Sequence, residues 1–151
     1  MVKSLIVCVF VLCFLALGSC EPVEFTDCGS KEAKIVSVDI TPCKAQPCEL
    51  KKGTEVAIQV QFTPNINITA GTTDVHGIIS GIPVPFPVDN PDACKDHGIV
   101  CPMIAGKTYT FKTVLPIKSL YPAMKLLVKW AMKDQKGNVV YCWEVAAEIT
   151  G

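Results

Sequence analysis

Met124-Lys125-Leu126-Leu127-Val128-Lys129-Trp130-Ala131-Met132, a polar break at Lys133-Asp134-Gln135-Lys136-Gly137-Asn138, and then Val139-Val140-Tyr141-Cys142-Trp143-Glu144-Val145-Ala146-Ala147-Glu148-Ile149 form the stretch on which the fold turns. In the first half Met124, Leu126, Val128, Trp130 and Met132 alternate with Lys125, Lys129 and Ala131. In the second, Val139, Tyr141, Trp143, Val145 and Ile149 stand against Glu144 and Glu148. A strand points successive side chains to opposite faces, so period-two patterning marks a half-buried antiparallel strand. The break supplies Gly137 for positive φ, as a hairpin turn requires.

The same period runs outward along the chain. Strands are expected over 22–28, 34–40, 54–62, 73–79 and 108–115 as well as 124–132 and 138–149. Val36, Val38 and Ile40 are expected inward, as are Val56, Ile58, Val60 and Phe62. Tyr109, Phe111 and Leu115 continue that pattern. There is no helical period and no internal repeat. About seven strands at this spacing predict an all-β, immunoglobulin-like β-sandwich. The inward positions carry many large rings (Phe62, Phe86, Tyr109, Phe111, Tyr121, Trp130, Tyr141 and Trp143). Such rings either interdigitate into a filled core or line an opening between the sheets, and alternation alone does not separate the two.

One segment departs from regular patterning. Ile82-Pro83-Val84-Pro85-Phe86-Pro87-Val88 places proline at every second position. Proline lacks the N–H of a sheet ladder, so a central strand is excluded and a stiff, extended apolar loop is expected. It either packs under the sandwich as an edge segment or walls a lipid cavity.

The chain opens on Lys3, an apolar run over 5–17, and the small residues Ala16, Gly18 and Cys20. This reads as a secretory signal peptide over 1–20, cleaved before Glu21. The mature domain is then 21–151, one domain's worth of chain. Of nine cysteines, Cys8, Cys13 and Cys20 leave with the leader. The remaining six suit a disulfide framework in an exported protein, with fifteen possible pairings. Cys43 and Cys48, and Cys94 and Cys101, are close in sequence; joining each pair would leave Cys28 for Cys142. Cys94, His97 and Cys101 are the zinc alternative, but a fourth ligand is lacking and the compartment is oxidising. Asn67-Ile68-Thr69 is a glycosylation signal in a polar connection.

Arginine is absent and the lysines are scattered. Bidentate reading of phosphate or guanine leans on arginine, so nucleic acid is not an expected partner. Catalysis is also weakly supported. His76 and Ser80 share a strand face, but no third group is evident, and prolines follow where a nucleophile elbow needs a helix. Asp89, Asp92 and Asp96 read as solvated turn residues. No cofactor, no metal and no enzymatic activity are expected.

Several motifs resemble a known family in order along the chain. They are 21–30 (Glu-Pro-Val-Glu-Phe-Thr-Asp-Cys-Gly-Ser), Pro42-Cys43 with Gln46-Pro47-Cys48, and Val75-His76-Gly77 through Val84-Pro85-Phe86-Pro87. Cys101-Pro102, Leu115-Pro116, Tyr121-Pro122 and Cys142-Trp143-Glu144 continue it. The mature chain resembles the small luminal Niemann–Pick type C cholesterol transporters (epididymal secretory proteins), within the ML lipid-recognition domain family. The resemblance implies a sandwich with a sterol pocket between its sheets. It implies the pairs Cys28–Cys142, Cys43–Cys48 and Cys94–Cys101. It implies sterol contacts at Phe86, Ile117 and Tyr121, with Val84, Pro116, Pro122, Trp130 and Ile40 as further lining. It implies docking to a membrane-bound Niemann–Pick partner and to bilayers through His76, Gly77, Ile78, Ser80, Gly81, Ile82 and Pro83, with Asp92 and Lys95 linked to transfer. A monomer secreted or held in the late endosome and lysosome lumen is the implied setting.

This chain departs from the family in places. Ile117 and Ile40 stand where valine is usual, Ser80 where methionine is common, and Gln59 where an asparagine is glycosylated. The segment 94–101 is one residue longer than in the mammalian protein. Two other readings are carried forward. One is a binder of another lipid, such as a fatty acid, glycolipid or lipid A-like molecule, in innate immunity or reproductive fluid. The other is a secreted interaction protein with a filled core.

Overall fold

The computed structural model describes residues 22–151; the expected leader lies outside the described residues. Nine strands are formed: β1 (Thr26–Asp27), β2 (Ala33–Thr41), β3 (Cys48–Lys51), β4 (Glu55–Pro64), β5 (Thr72–Ile79), β6 (Ile82–Pro85), β7 (Tyr109–Pro116), β8 (Met124–Lys133) and β9 (Val139–Thr150). They make two sheets packed face to face. The larger runs β1-β9-β8-β5-β6, with β3 also on β9; the smaller runs β2-β4-β7. Every pairing is antiparallel except β3 with β9, which is parallel. The all-β sandwich expected from alternation is the observed fold.

The β8–β9 hairpin forms as patterned. Its turn closes with the Asp134 N–H donating to the Asn138 carbonyl at 2.9 Å, and Gly137 takes φ 83°. Backbone N–H groups of Lys136 and Asn138 donate to the Asp134 carboxylate at 2.9 and 2.8 Å.

Four expectations are corrected. Val36 is 54% exposed rather than inward, because the β2–β4 register slips between Ile35 and Ser37 and puts Ile35 inside instead. A bulge adds one residue to a strand and so flips the face of what precedes it. The first strand shrinks from 22–28 to Thr26–Asp27. Two short strands were not foreseen, β3 and β6. The last is the proline rope itself, part of which forms a strand after all. Its register sets Pro83 against Ile78 and Pro85 against His76, while the Phe86 N–H donates to the Val75 carbonyl at 2.8 Å. In an antiparallel pair only alternate residues point their N–H at the neighbour. The prolines therefore fall where β5 needs no donor, and β6 is an edge strand, the position proline tolerates.

The aromatic residues divide into two groups. Phe62, Phe111, Trp130, Tyr141 and Trp143 are fully buried, and Phe86, Tyr109 and Tyr121 only partly. Trp130 and Trp143 stack at 5.8 Å and 2°, Phe111 meets Trp130 at 6.2 Å, and Phe62 meets Tyr141 at 4.9 Å. These rings fill the sandwich there, apart from a small space beside Phe111 and Trp130. Burial holds the Tyr141 hydroxyl far above its ordinary pKa. Three disulfides brace the domain: Cys28–Cys142, Cys43–Cys48 and Cys94–Cys101.

Candidate functional site

At the other end the sheets part around a cavity of about 400 Å³. Its walls follow from alternation. Inward residues Val75, Gly77 and Ile79 of β5 and Met124, Leu126 and Val128 of β8 form one side. Leu115 of β7 and Ile117 beyond it form the other, and Leu50 and Ile149 contribute from β3 and β9. Phe86, Tyr121, Pro122 and Leu120 lie towards the solvent-facing edge. Lys118 is the one lining residue with a formal charge outside histidine. Small-ligand pockets span roughly 300–1,000 Å³ and are mostly apolar, so volume and chemistry both fit a hydrocarbon ligand.

Gly77 has a specific reason to be glycine. A Cβ there would sit 3.0 Å from Leu126 Cδ1, inside the cavity wall. A side chain at 77 has to push Leu126 aside and take up ligand space.

Phe86 and Tyr121 face each other edge to face at 5.4 Å. They separate the cavity from a smaller side pocket of about 120 Å³, and both residues line both spaces. The expected sterol contacts fall into three sets. Phe86, Ile117, Tyr121, Val84 and Pro122 line the main cavity. Trp130 and Pro116 line the side pocket. Ile40 is buried in the core opposite Ile58 and lines neither space.

The expected docking residues also divide. Ile78 to Pro83 form the β5–β6 tip, turned by Ser80 and Gly81 with φ 49° and 79°. Ile82 there is 65% exposed, and Leu120, another residue lining the cavity, is 79% exposed. Asp92 lies at the far end of β5, bridged to Thr72, with its carbonyl accepting from the Lys95 N–H at 3.2 Å. Seven residues of strand at about 3.3 Å each place that pair roughly 23 Å from the tip. Asp92 and Lys95 are therefore not brought together with Ile78, Ile82 and Pro83. His76 and Gly77 line the cavity.

Sequence reasoning missed Leu50, Leu115, Leu120, Met124, Leu126, Val128 and Ile149 as lining. No signal in the sequence marks the change along β8, where Met124, Leu126 and Val128 are only partly buried and Trp130 and Met132 on the same face are fully buried. Leu120, in a loop between Pro116 and Pro122, had the signature of an exposed apolar anchor.

The other candidates resolve plainly. His76 Nδ1 lies 3.6 Å from Asp74 Oδ1, and Asp74 Oδ2 pairs with Lys133 Nζ at 2.6 Å; Ser80 is exposed in its turn. Cys94 and Cys101 are bonded to each other, and the His97 ring nitrogens sit 2.9 and 3.0 Å from the carbonyls of Lys112 and Asn90. No group of three metal-ligating side chains occurs among the described residues. Asn67 is exposed, its Oδ1 accepting from the Ala105 N–H at 2.9 Å.

The family described as ML domain matches residues 22–149. The chain belongs to the ML-domain family. This ML domain is 42% identical over 142 residues to the NPC intracellular cholesterol transporter 2 of Mus musculus, covering 94% of this chain and 95% of that one. It is 40% identical over 142 residues to the Ecdysteroid-regulated 16 kDa protein of Manduca sexta, covering 93% and 97%. Among solved structures, a Niemann-Pick type C2 protein from Japanese carpenter ant superposes with a TM-score of 0.81 at 26% identity, covering 85% of this ML domain and 100% of that chain.

Proposed function

We propose that this ML domain is a carrier of unesterified cholesterol and related sterols. It holds the ligand in the cavity between its sheets and passes it to a bilayer or to a membrane-bound partner. One observation carries the reading: an apolar cavity of about 400 Å³ at the open end of the sandwich, with exposed Ile82 and Leu120 beside it. A sterol is nearly all hydrocarbon with one hydroxyl, and such surface gains about 25 cal/mol for each Å² taken out of water. The walls offer that burial without an ionised group to desolvate, Lys118 being exposed. The exposed apolar edge lets the ligand leave into another greasy surface without crossing water. Similarity to cholesterol transporters at 42% identity supports the same ligand class.

The role is a carrier's, not a catalyst's. Six disulfide-bonded cysteines suit a secreted protein or one held in the late endosome and lysosome lumen. Asn67, exposed on a polar connection, is the proposed glycan site. Titration with a fluorescent sterol tests the reading. Saturable one-to-one binding that cholesterol displaces is the expected result; no saturable signal refutes it. Mass spectrometry of lipid carried through purification tells sterol from fatty acid or glycolipid.

A further inference from the structure

The pole of the sandwich away from the cavity carries two exposed isoleucines that the carrier reading leaves unused. Ile66 is 42% exposed and Ile104 49%. An isolated antiparallel bridge joins their two segments. The Ile68 N–H donates to the Met103 carbonyl at 2.9 Å, and the Met103 N–H donates back to the Ile68 carbonyl at 2.7 Å. Ile68 and Met103 are both fully buried. Side chains alternate across an extended pair, so the next residues, Asn67 and Ile104, fall opposite each other on the outer side. Both are exposed.

Asn67 is the acceptor asparagine of the signal Asn67-Ile68-Thr69. Its amide is held in one orientation. The Ala105 N–H donates to Asn67 Oδ1 at 2.9 Å. A backbone N–H only donates, so the amide oxygen has to face Ala105 and the amide nitrogen has to face away. Nδ2 is the atom that carries an N-linked glycan, and it donates to no protein group among the described residues. The first sugar therefore starts on the outer side beside Ile104, with Ile66 next along the chain. A sugar ring has a face of C–H groups as well as its hydroxyls. One side can lie on isoleucine while the other stays in water.

The position in the fold is definite. The Thr69 N–H donates to Oε1 of Gln135 in the β8–β9 turn at 3.3 Å, and β5 begins beside that turn, with Thr72 opposite Lys133. The β5–β6 tip lies at the other end of the same ladder, beyond Ile78 opposite Leu127.

We infer that a glycan on Asn67 packs over Ile104 and Ile66, giving the pole opposite the cavity a polar surface and leaving the exposed apolar edge at the cavity uncovered. This rests on the glycan site proposed above and gives that glycan a contact and a role.

The test uses the chain secreted from a eukaryotic host. Wild type and Thr69→Ser should lose mass on digestion with peptide-N-glycosidase, and Thr69→Ala should not. Thr69→Ala blocks attachment yet keeps Asn67 and its bond to Ala105. It should lower the thermal midpoint by a few degrees. Wild type trimmed by an endoglycosidase to its first sugar should keep most of the difference. Ile104→Ser removes the apolar contact and keeps the backbone bond from the Ile104 N–H to the Tyr109 hydroxyl at 2.7 Å. In that background Thr69→Ala should no longer shift the midpoint, because the two changes remove one contact. No mass loss in wild type overturns the glycan site and the cover together. Mass loss with an equal midpoint shift in the presence and absence of Ile104 overturns the cover and leaves the glycan site standing. Neither result depends on sterol binding, so the carrier reading is judged separately by its own titration.

Discussion

Phe86→Ala tests the cavity most directly. The ring packs at 5.4 Å against Tyr121, lines both spaces, and is only partly buried by protein. A phenylalanine has about 150–250 Å² to bury, so a ligand covering a third of the ring removes roughly 50 Å² from water. At about 25 cal/mol per Å² that contact contributes about 1.3 kcal/mol. Losing the edge contact also loosens Tyr121 on the opposite wall, for another 0.5–1.5 kcal/mol or so. The sum, about 2–3 kcal/mol, predicts sterol affinity weaker by roughly 20- to 100-fold. The fold should survive. The Phe86 N–H bond to the Val75 carbonyl is a backbone bond that alanine keeps. A half-buried ring also costs less than the ~3–5 kcal/mol of a sealed one. Fluorescent sterol titration gives the affinity, and a thermal melt with far-UV circular dichroism checks the fold. A folded variant whose Kd stays within twofold of wild type refutes the assignment of Phe86 to the ligand wall.

Three further outcomes are expected. Charging the exposed apolar edge with Ile82→Asp or Leu120→Asp should slow sterol transfer to vesicles far more than it weakens equilibrium binding; equal loss of both defeats the docking role. Replacing Cys28 and Cys142 with alanine should cost about 5 kcal/mol in the chain-entropy model for a loop of 114 residues, read as a lowered denaturant midpoint. Burial raises the Glu32 carboxyl above its ordinary value and the nearby Asp134 charge pushes it further, whereas Asp134 is held low because hydrogen bonds from the Asn138 and Lys136 amides outweigh its burial. A raised folded pKa gives stability that is full below the unfolded value and lost as pH rises through the folded one. Glu32→Gln should therefore raise the melting temperature at neutral pH and leave it unchanged well below the ordinary glutamate range; equal gains at both would refute the carboxyl pairing.

How legible was this in the sequence? Long strands were, because alternation over eight to twelve residues survives local irregularity, as β4, β8 and β9 illustrate. Four-residue strands were not. Cys48–Lys51 carries too short a period, and it is placed by the Cys43–Cys48 bridge and by parallel pairing with β9, a contact 99 residues away at its first rung, Cys48 with Ala147. The Val36 error came from a bulge, which alternation cannot signal because both Ile35 and Val36 are apolar. The site was half legible. Leu126 and Met132 occupy the same face of one strand, yet one borders a hollow and the other a filled core. What separates them is the packing opposite, which the strand's own residues do not encode. Likewise nothing in the spacing of Asp92 from Ile82 shows that β5 holds them at opposite ends.

The hollow has a cause in the unequal sheets. β6 and β7 are outer strands of different sheets, and nothing among the described residues pairs one with the other. Where the smaller sheet ends, the gap beside β5 is spanned by Phe86 to Asn90 and by Ile117 to Pro122. Both spans are rich in proline: Pro87 in the first, Pro122 in the second, with Pro85 and Pro116 at their starts. A proline cannot donate to a ladder, so neither span can zip onto the neighbouring edge and close the sandwich. Phe86 and Tyr121 reach across instead, a contact between side chains and not a ladder of backbone bonds. Side-chain rotation costs far less than unpairing strands, so on the proposed carrier reading this is the seam expected to open first. The prolines thus do two things at once: they withhold ladder donors from an exposed edge, and they leave the cavity wall held here by side chains instead of a backbone ladder.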